Sequence, residues 1–306
     1  MSAYILRRLA QALMILIGVS IITFALLYLL PADPARQVAG RTASIDQVER
    51  VREQLGLNLP IWQQYGRYLW HLLQGDLGRS YLQRSEVTSL IFPRLPATAL
   101  LMLGAIFFEL TLGLTFGLVA ALRRNTALDQ AIMAATFVFV SMPAFLLGLL
   151  LLYFFAVYLG WFPIGGYGEF KHLILPSLSL GLLGAGWYAQ QMRSTVIEVL
   201  RQDYIRTARA KGLSRGRILC LHVVPNALLP IIAMIGLDIG YFMGGAVLIE
   251  AVYGWPGIGQ LTWQAIQQLD IPIIMGVMLI VAFAVAMGSL LADLIAPFVD
   301  PRIKLR

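Results

Sequence analysis

The chain alternates between long apolar stretches and shorter polar segments, and this alternation is the main structural signal in the sequence. Six stretches are almost wholly apolar, and they cover residues 9–30, 97–122, 131–159, 173–191, 225–249 and 272–296. An α-helix needs about 20 apolar residues to cross a bilayer. The pattern therefore predicts an all-α polytopic membrane protein with six transmembrane helices. The first stretch has 22 residues, against about 7–15 in a signal-peptide core, so we interpret it as an uncleaved first span.

The third apolar stretch is expected to bend. It has 29 residues, which is longer than one crossing requires, and it contains Ser141, Met142 and Pro143 in succession. Proline removes a backbone hydrogen-bond donor from a helix. We therefore predict a kinked span at this point.

The longest polar segment, residues 31–95, is predicted to fold into a small helical extracytoplasmic subdomain after the first span. Ser44 followed by Gln47 has the spacing of an N-terminal capping box, and Val48, Val51 and Leu55 then share one helical face. A second amphipathic stretch follows Pro60, and the residues GDLG at 75–78 form a turn signal. The sequence thus divides into a first span (1–30), this insertion (31–95) and a five-helix core (96–306).

A second polar segment, residues 193–225, is rich in basic residues. Between Arg193 and His222 it contains seven Lys or Arg and two acids. Apolar residues recur through it at roughly helical spacing, at positions Val196, Leu200, Tyr204 and Ala208. We interpret it as short amphipathic helices interrupted by Gly212 and Gly216, forming a surface on which a partner docks. Binding to anionic lipid is the competing interpretation.

The distribution of charge orients the chain. It has 306 residues, of which only 13% are charged, and a net charge of +7. With six spans and the long 31–95 loop set aside, 14 Lys and Arg lie on the side of the two termini and one lies on the other side. The positive-inside rule then places both termini in the cytoplasm. Because the basic residues flank apolar spans, they do not indicate nucleic-acid binding.

No enzyme site is recognisable. A P-loop requires Gly before its lysine, but Phe170, Ala210 and Ile303 precede the three lysines. The chain also has no Gly-x-Ser-x-Gly elbow. The single Cys220 excludes an internal disulfide, and the three histidines lie far apart, so neither a metal nor another cofactor is expected. If ATP drives this protein, another chain hydrolyses it.

Four carboxylates lie in or at the ends of the apolar stretches. Charge in a bilayer is costly, so each should face the bundle interior, water or a partner. Glu109 and Asp238 fall near span centres and are candidates for lining a solute path; the alternative is pairing with hydroxyls, the backbone or a cation. Glu250 and Asp293 fall near span ends, where the second interpretation is favoured.

The basic segment resembles the ATPase-coupling segment of ABC importer permeases, in the dipeptide/oligopeptide/nickel branch. The resemblance rests on DYIRTARAKGL at 203–213 and PNALLP at 225–230. Against the general coupling motif of these permeases only Ala208, Gly212 and Pro225 match strictly, whereas RTARAKG is similar to the form in the peptide branch. Further matches are LPADPA at 30–35, LGLNLP at 55–60, GDLGRS at 75–80, WPGIG at 255–259 and DPRI at 300–303.

The resemblance implies a B-type permease of the bacterial inner membrane. Such a permease pairs with a second permease subunit, docks two cytoplasmic ATP-binding subunits and receives solute from an extracytoplasmic solute-binding protein. The residues that would couple to the ATPases are Asp203, Tyr204, Arg206, Thr207, Ala208, Arg209, Lys211, Gly212 and Arg215. Those that would form an extracytoplasmic gate or turn are Glu250, Trp255, Pro256 and Gly257.

The resemblance implies peptides as substrates, with glutathione, nickel and metal chelates as alternatives in the same branch. A secondary transporter is the main rival of another class. It would require coupling-ion sites and often an internal repeat, and the chain shows no halves with matching interrupted spans. A membrane enzyme is disfavoured because no nucleophile or metal constellation is present.

Overall fold

The structure, a computed structural model, describes residues 2–29, 33–40 and 42–299. Within these residues it is α-helical, with short 3-10 and π-helical turns and without a β-strand. The helices are α1 (Ser2–Leu29), α2 (Pro34–Ala39), α3 (Ile45–Gln54), α4 (Ile61–Leu73), α5 (Val87–Ile91), α6 (Leu95–Leu122), α7 (Ala127–Ser141), α8 (Ala144–Leu151), α9 (Phe170–Val199), α10 (Asp203–Ala210), α11 (Arg215–Ile218), α12 (Val224–Tyr253), α13 (Ile258–Gln268) and α14 (Ile271–Val299). The sequence matches at 30–32 and 300–303 lie outside the described residues.

Each of the six predicted apolar stretches falls on a helix: α1, α6, α7 with α8, α9, α12 and α14. Four described segments are long and apolar enough to cross a membrane by themselves: Leu6–Ala25, Val87–Leu122, Arg215–Ile232 and Ile271–Leu290. The bent pair α7 and α8 would make a fifth. α9 is less apolar than these and packs against α6, α7, α8 and α12, so small and polar side chains such as Ser177 and Ser179 are buried in protein.

The third apolar stretch bends at the predicted place, and the bend is a complete break between two helices. α7 ends at Ser141, and α8 leaves it at an angle of 112°. Met142 between them is extended (φ −81°, ψ 137°), because the residue before a proline is disfavoured in the α conformation. α8 then continues through a π-helical turn, Leu152–Tyr158.

α6 and α9 pack backbone to backbone along glycine positions. A Cβ added at Gly117 of α6 would lie 2.5 Å from the carbonyl oxygen of Ala189, and one at Gly113 would lie 3.0 Å from that of Ala185. Gly181 of α9 faces the carbonyl oxygen of Ala105 in the same way, at 2.7 Å. Small residues allow such close approach between helices in a membrane, where contact replaces the hydrophobic effect as the driving force. α7 and α12 both pack against this pair of helices.

Hydrogen bonds at Asp270 and at Ser20 help to tie the 31–95 segment to the helical core. Asp270, buried just before α14, accepts hydrogen bonds from the Ser80 hydroxyl and from the backbone N–H groups of Tyr81 (3.2 Å) and Leu82 (3.4 Å). Burial, and then the charge of Asp270, raise the pKa of Tyr81 to about 12, so the phenol stays neutral. At the other place, Ser20 of α1 and Tyr65 of α4 share a hydrogen bond of 2.8 Å.

The predicted capping box is confirmed at the start of α3. The Ser44 hydroxyl accepts from the Gln47 backbone N–H at 3.3 Å, and the Gln47 side chain accepts from the Ser44 backbone N–H at 3.0 Å. α3 is also joined to α2, because Arg52 pairs with Asp33 at 2.5 Å. The segment thus contains short helices held by local hydrogen bonds and by contacts with α1 and α14.

Candidate functional site

The basic segment forms a short helix, α10, that lies across the ends of two long helices. Ile205 and Ala208 are buried in a cluster that includes Val196 of α9 and Ile218 and Val223 at the start of the next long helix. The other side chains of α10 are exposed. α10 is therefore seated by two apolar contacts and presents its polar surface outward.

One of the four predicted apolar positions of this segment is wrong. Tyr204 is 45% exposed, and its neighbour Ile205 is fully buried instead. The predicted register assumed one helix from Val196 to Ala208, whereas α9 ends at Val199 and a turn of three residues restarts the helix at Asp203. Ile205 is buried in place of Tyr204, whereas Val196 and Ala208 are buried as predicted.

Gly212 ends α10 in the left-handed conformation, with φ of +77°. The Gly212 N–H donates to the Arg209 carbonyl at 3.0 Å, and the Leu213 N–H donates to the Ala208 carbonyl at 3.3 Å. These bonds satisfy carbonyls at the helix end, a role for which glycine is favoured. The predicted break at Gly212 is thus confirmed. The predicted interruption at Gly216 is wrong, because Gly216 lies inside α11.

From Arg215 to Tyr253 the chain is helical without a break. Ser214 caps α11 by accepting from the Arg217 N–H at 3.4 Å. α11 then passes through a π-helical turn, Leu219–Val223, directly into α12. α10 is therefore connected through one sharp turn to a helix that continues into an apolar span.

The exposed surface of this segment is basic. Its exposed cationic side chains are Arg201, Arg206, Arg209, Lys211, Arg215 and Arg217. Asp203 approaches Arg206 at 3.7 Å, but the two side chains are 95% and 85% exposed, so the pair contributes little to stability. The charges are thus available to a partner.

An ion pair that the sequence did not indicate anchors the end of α9. Arg193 donates from Nε to Asp129 Oδ1 at 2.6 Å and from Nη2 to Asp129 Oδ2 at 2.7 Å. Asp129 is buried and also accepts from the Asn125 N–H at 2.9 Å. Since Asp129 lies in the first turn of α7, this pair fixes the start of α7 to the helix that leads into α10. The two residues lie 64 positions apart, so only the fold brings them together.

Arg193→Lys is expected to loosen this anchor. Lysine carries the charge but cannot reproduce the two-pronged contact of a guanidinium, so one charged hydrogen bond is lost, at a cost of about 1.5–3 kcal/mol. We expect a lower melting temperature of the purified protein in detergent. Arg206→Lys is the matched control, because Arg206 is exposed and its replacement should leave melting unchanged. Equal melting of both variants would contradict a structural role for the Arg193 pair.

Glu109 and Asp238, the two predicted path residues, are both buried within this chain. Glu109 of α6 packs against Gly184 of α9, where an added Cβ would collide with its carboxyl group, and its Oε2 has no hydrogen-bond partner among the described residues. Asp238 of α12 accepts a hydrogen bond of 2.5 Å from the hydroxyl of Tyr188. The carboxyls thus lie among α6, α9 and α12. Their role in a solute path stays a prediction.

The predicted turn at 250–257 is largely buried and is hydrogen-bonded to α6. Trp255 is 1% exposed and donates from Nε1 to the Ala97 carbonyl at 2.9 Å. The fully buried Glu250 accepts from the Thr98 hydroxyl at 2.7 Å and from the Gln260 N–H at 2.9 Å. Gly257 packs directly on the Glu250 carboxyl and the Thr98 hydroxyl, since an added Cβ would lie 2.2 Å from Glu250 Oε1. Glu250 therefore pairs with a hydroxyl and with a backbone N–H group. This confirms the interpretation that the sequence favoured for it.

Glu250→Gln is expected to destabilise this turn. The amide keeps the shape of the carboxyl, but its NH₂ group cannot accept a hydrogen bond, so either Thr98 or the N-terminal turn of α13 loses its acceptor. An unsatisfied buried donor costs about 1–3 kcal/mol. Thermal unfolding in detergent measures the effect, and Glu53→Gln on exposed α3 is the control. A melting temperature equal to that of the control would show that the carboxyl is not needed there.

Comparison with known proteins gives matches over nearly the whole chain. Residues 113–305 match the profile of the family described as binding-protein-dependent transport system inner membrane component. Residues 1–102 match the profile of the N-terminal region of such membrane components. The two matches together cover both the 31–95 segment and the helical core.

Curated relatives match the chain from end to end. A putative peptide transport system permease protein of Brucella abortus is 41% identical over 312 residues, covering 99% of each chain. The dipeptide transport system permease protein DppB of Alkalihalophilus pseudofirmus is 38% identical, covering 99% of this chain and 100% of its own. The glutathione transport system permease protein GsiC of Salmonella typhi is 37% identical, covering 98% of each.

Among solved structures, a chain of the inward-facing methionine ABC transporter MetNI has a similar fold. The TM-score is 0.58 and the identity is 20%, over 66% of this chain and 93% of that one. At this identity the similarity concerns the fold alone.

Proposed function

The chain belongs to the family of inner membrane components of binding-protein-dependent transport systems, and from this membership we propose that it is a permease subunit of an ATP-driven importer of peptides. It is a membrane protein of the inner membrane and is not itself an enzyme, because ATP hydrolysis in these importers takes place in separate subunits. The full-length identity of 38–41% to peptide and dipeptide permeases carries this proposal.

The proposed topology has six membrane spans with both termini in the cytoplasm. The spans are α1, α6, the broken pair α7 and α8, α9, α12 and α14. The 14-to-one distribution of Lys and Arg supports this orientation. α9 completes the count although it is less apolar, because a helix surrounded by other helices does not have to match lipid. Residues 31–95 then form the extracytoplasmic insertion, and residues 193–225 the cytoplasmic coupling loop.

We propose that α10 is the helix on which a cytoplasmic ATP-binding subunit docks. Its surface is exposed and basic, and two features make it rigid: the buried Ile205 and Ala208, and the capped turn at Gly212. A rigid helix transmits a movement of its partner instead of absorbing it. The residues proposed to make or shape this contact are Asp203, Tyr204, Arg206, Thr207, Ala208, Arg209, Lys211, Gly212 and Arg215.

The proposed assembly also includes a second permease subunit, so that a path forms between two chains, and an extracytoplasmic solute-binding protein that delivers the solute. We keep Glu109 and Asp238 as candidates for that path. The turn with Glu250, Trp255, Pro256 and Gly257 is proposed to close its extracytoplasmic end. Because this turn is hydrogen-bonded to α6, it would move together with α6 and not as a separate flap.

Peptides are the substrate class that the relatives' names support best. Glutathione, the substrate named for a Salmonella relative at 37% identity, is the second candidate. Nickel and metal chelates remain alternatives from the same branch. Selection among these would lie largely in the solute-binding protein.

Reconstitution tests this function. The complex of this chain with its second permease and ATP-binding subunits is placed in proteoliposomes, and the binding protein is supplied with a labelled dipeptide, glutathione or nickel chelate. We expect uptake of the dipeptide that requires both ATP and the binding protein. Uptake driven by an ion gradient without ATP would instead indicate a secondary transporter. ATP-driven uptake of only glutathione or the chelate would reassign the substrate.

A further inference from the structure

Helix α4 has three distinct faces along its 13 residues. One face carries Tyr65 and Tyr68, which lie against Phe24 of α1 with ring centroids 5.3 and 6.3 Å away. A second face is polar: Arg67 and His71 line a cavity of about 1200 Å³ between this segment and the start of α14. The third face is apolar and open, and its composition indicates what covers it.

The open face is built of large apolar side chains at helical spacing. Trp62 and Trp70 are 71% and 63% exposed, and Leu73 is 82% exposed. Gly66, between the two indoles on the same face, has nothing within 4 Å of an added Cβ. Large apolar patches exposed on a folded chain mark interaction sites. This face is not covered by any described part of the chain.

The position of α4 along the length of α1 indicates whether this face lies in water or in lipid. Arg7 and Arg8 mark the polar end of α1, and Ser20 and Phe24, which touch α4, lie roughly 18 and 24 Å along the helix from Arg8 at 1.5 Å per residue. The hydrocarbon core of a bilayer is about 30 Å thick. The contact points of α4 on α1 therefore lie within the far half of the bilayer, and α4 cannot be far above it.

Tryptophan is the residue that suits this position. Its indole is apolar over most of its surface and has one N–H donor, and Trp and Tyr concentrate at the boundary between headgroups and acyl chains. A helix with a polar face, a wide apolar face and Trp residues lies in the plane of that boundary. α4 has this composition, with its polar face directed to the cavity and its tyrosine face directed to α1.

We propose that α4 is an interfacial helix, with Trp62, Trp70 and Leu73 inserted among the lipids of the leaflet opposite to Arg7 and Arg8. Under the proposed topology this is the outer leaflet. The 31–95 segment would then rest on the membrane on one side while its polar cavity faces water. Lipid, and not a second protein, is the occupant of the open face.

Site-specific quenching tests this proposal. The permease complex is assembled in lipid nanodiscs with an encoded fluorescent amino acid in place of Leu73, and a matched label replaces the exposed Glu53 of α3. Brominated phosphatidylcholine reports contact with acyl chains, and iodide reports contact with water. We expect lipid quenching at position 73 to be several-fold stronger than at position 53, and iodide quenching several-fold weaker. A second label in place of Trp70 should behave like the label at 73.

Two results would overturn the proposal. Iodide quenching at positions 73 and 70 as strong as at 53 would place the open face in water, where a solute-binding protein reaches it. Protection from both quenchers would show that another protein subunit covers it. Neither result bears on ATP-driven transport, so the proposed function would stand in both cases.

Discussion

Replacing Gly212 with valine is expected to abolish ATP-driven transport while the chain still inserts into the membrane. Gly212 has a φ of +77°, and a β-branched residue in this region is a strong outlier, with a cost of about 1–3 kcal/mol. An added Cβ meets no atom within 4 Å, so the effect comes from the backbone alone. Relief of the strain would rotate the end of α10 and break the two hydrogen bonds that close it.

The loss of this turn would misplace the docking surface. α10 is held by the buried Ile205 and Ala208 and by the turn at Gly212, so a changed turn redirects the exposed basic side chains on it. Uptake in proteoliposomes and co-purification of the ATP-binding subunits are the measurements, and both are expected to fall together. The strain is small beside the packing of the spans, so the amount of protein in the membrane should be unchanged.

Gly216→Val is the matched control. Gly216 lies four residues further along in the same exposed segment, and it also has nothing within 4 Å of an added Cβ. It differs in lying inside α11, with ordinary helical backbone that valine adopts at small cost. We expect near-normal co-purification and uptake. If Gly212→Val behaves like this control, α10 is not the helix that couples to the ATPases.

The helices of this protein were accessible to sequence reasoning because they depend on local patterns. Every long apolar stretch is helical, the capping box at Ser44 forms as predicted, and Gly212 takes the left-handed conformation that ends a helix. In each case the relevant interaction joins residues a few positions apart. Local chemistry alone then decides the outcome.

The contacts that organise the site were not accessible, because they join distant residues. Asp129 with Arg193, Thr98 with Glu250 and Ser80 with Asp270 are separated by 64, 152 and 190 positions. Nothing in one sequence pairs a particular carboxyl with a particular donor at such a distance. The expectation that Glu250 pairs with a hydroxyl and the backbone is confirmed, but only the folded packing of distant segments selects Thr98 and Gln260 as its partners.

Local patterns were less informative where a helix is interrupted. The proline after Met142 indicates the place of the interruption, but not the size of the bend, which is 112°. A three-residue turn precedes Asp203, and after it Ile205 is buried where Tyr204 was predicted. A periodic pattern fixes which residues share a face only while the helix is continuous.

Replacing Gly117 with leucine is expected to prevent the two central helices from packing, with the largest loss of folded protein among the changes considered. An added Cβ would lie 2.5 Å from the carbonyl oxygen of Ala189 and 3.0 Å from its Cα. These are backbone atoms of α9 and cannot move aside as a flexible side chain does. Overpacking in a well-packed core costs about 1–3 kcal/mol, and more where backbone must shift, and leucine adds three further carbons in the same direction.

The measurement is the yield of monodisperse protein from membranes and its melting temperature, with Gly18→Leu as the control. Gly18 lies within the apolar span α1, but an added Cβ there has nothing within 4 Å, so the same change should leave both values nearly unaltered. Equal behaviour of the two variants would mean that α6 and α9 do not approach as closely as the structure has them. The consequence reaches beyond stability, because α9 carries Arg193 and leads directly into α10. If α10 is the coupling helix as proposed, a contact between rigid backbones would allow its movement to reach the spans.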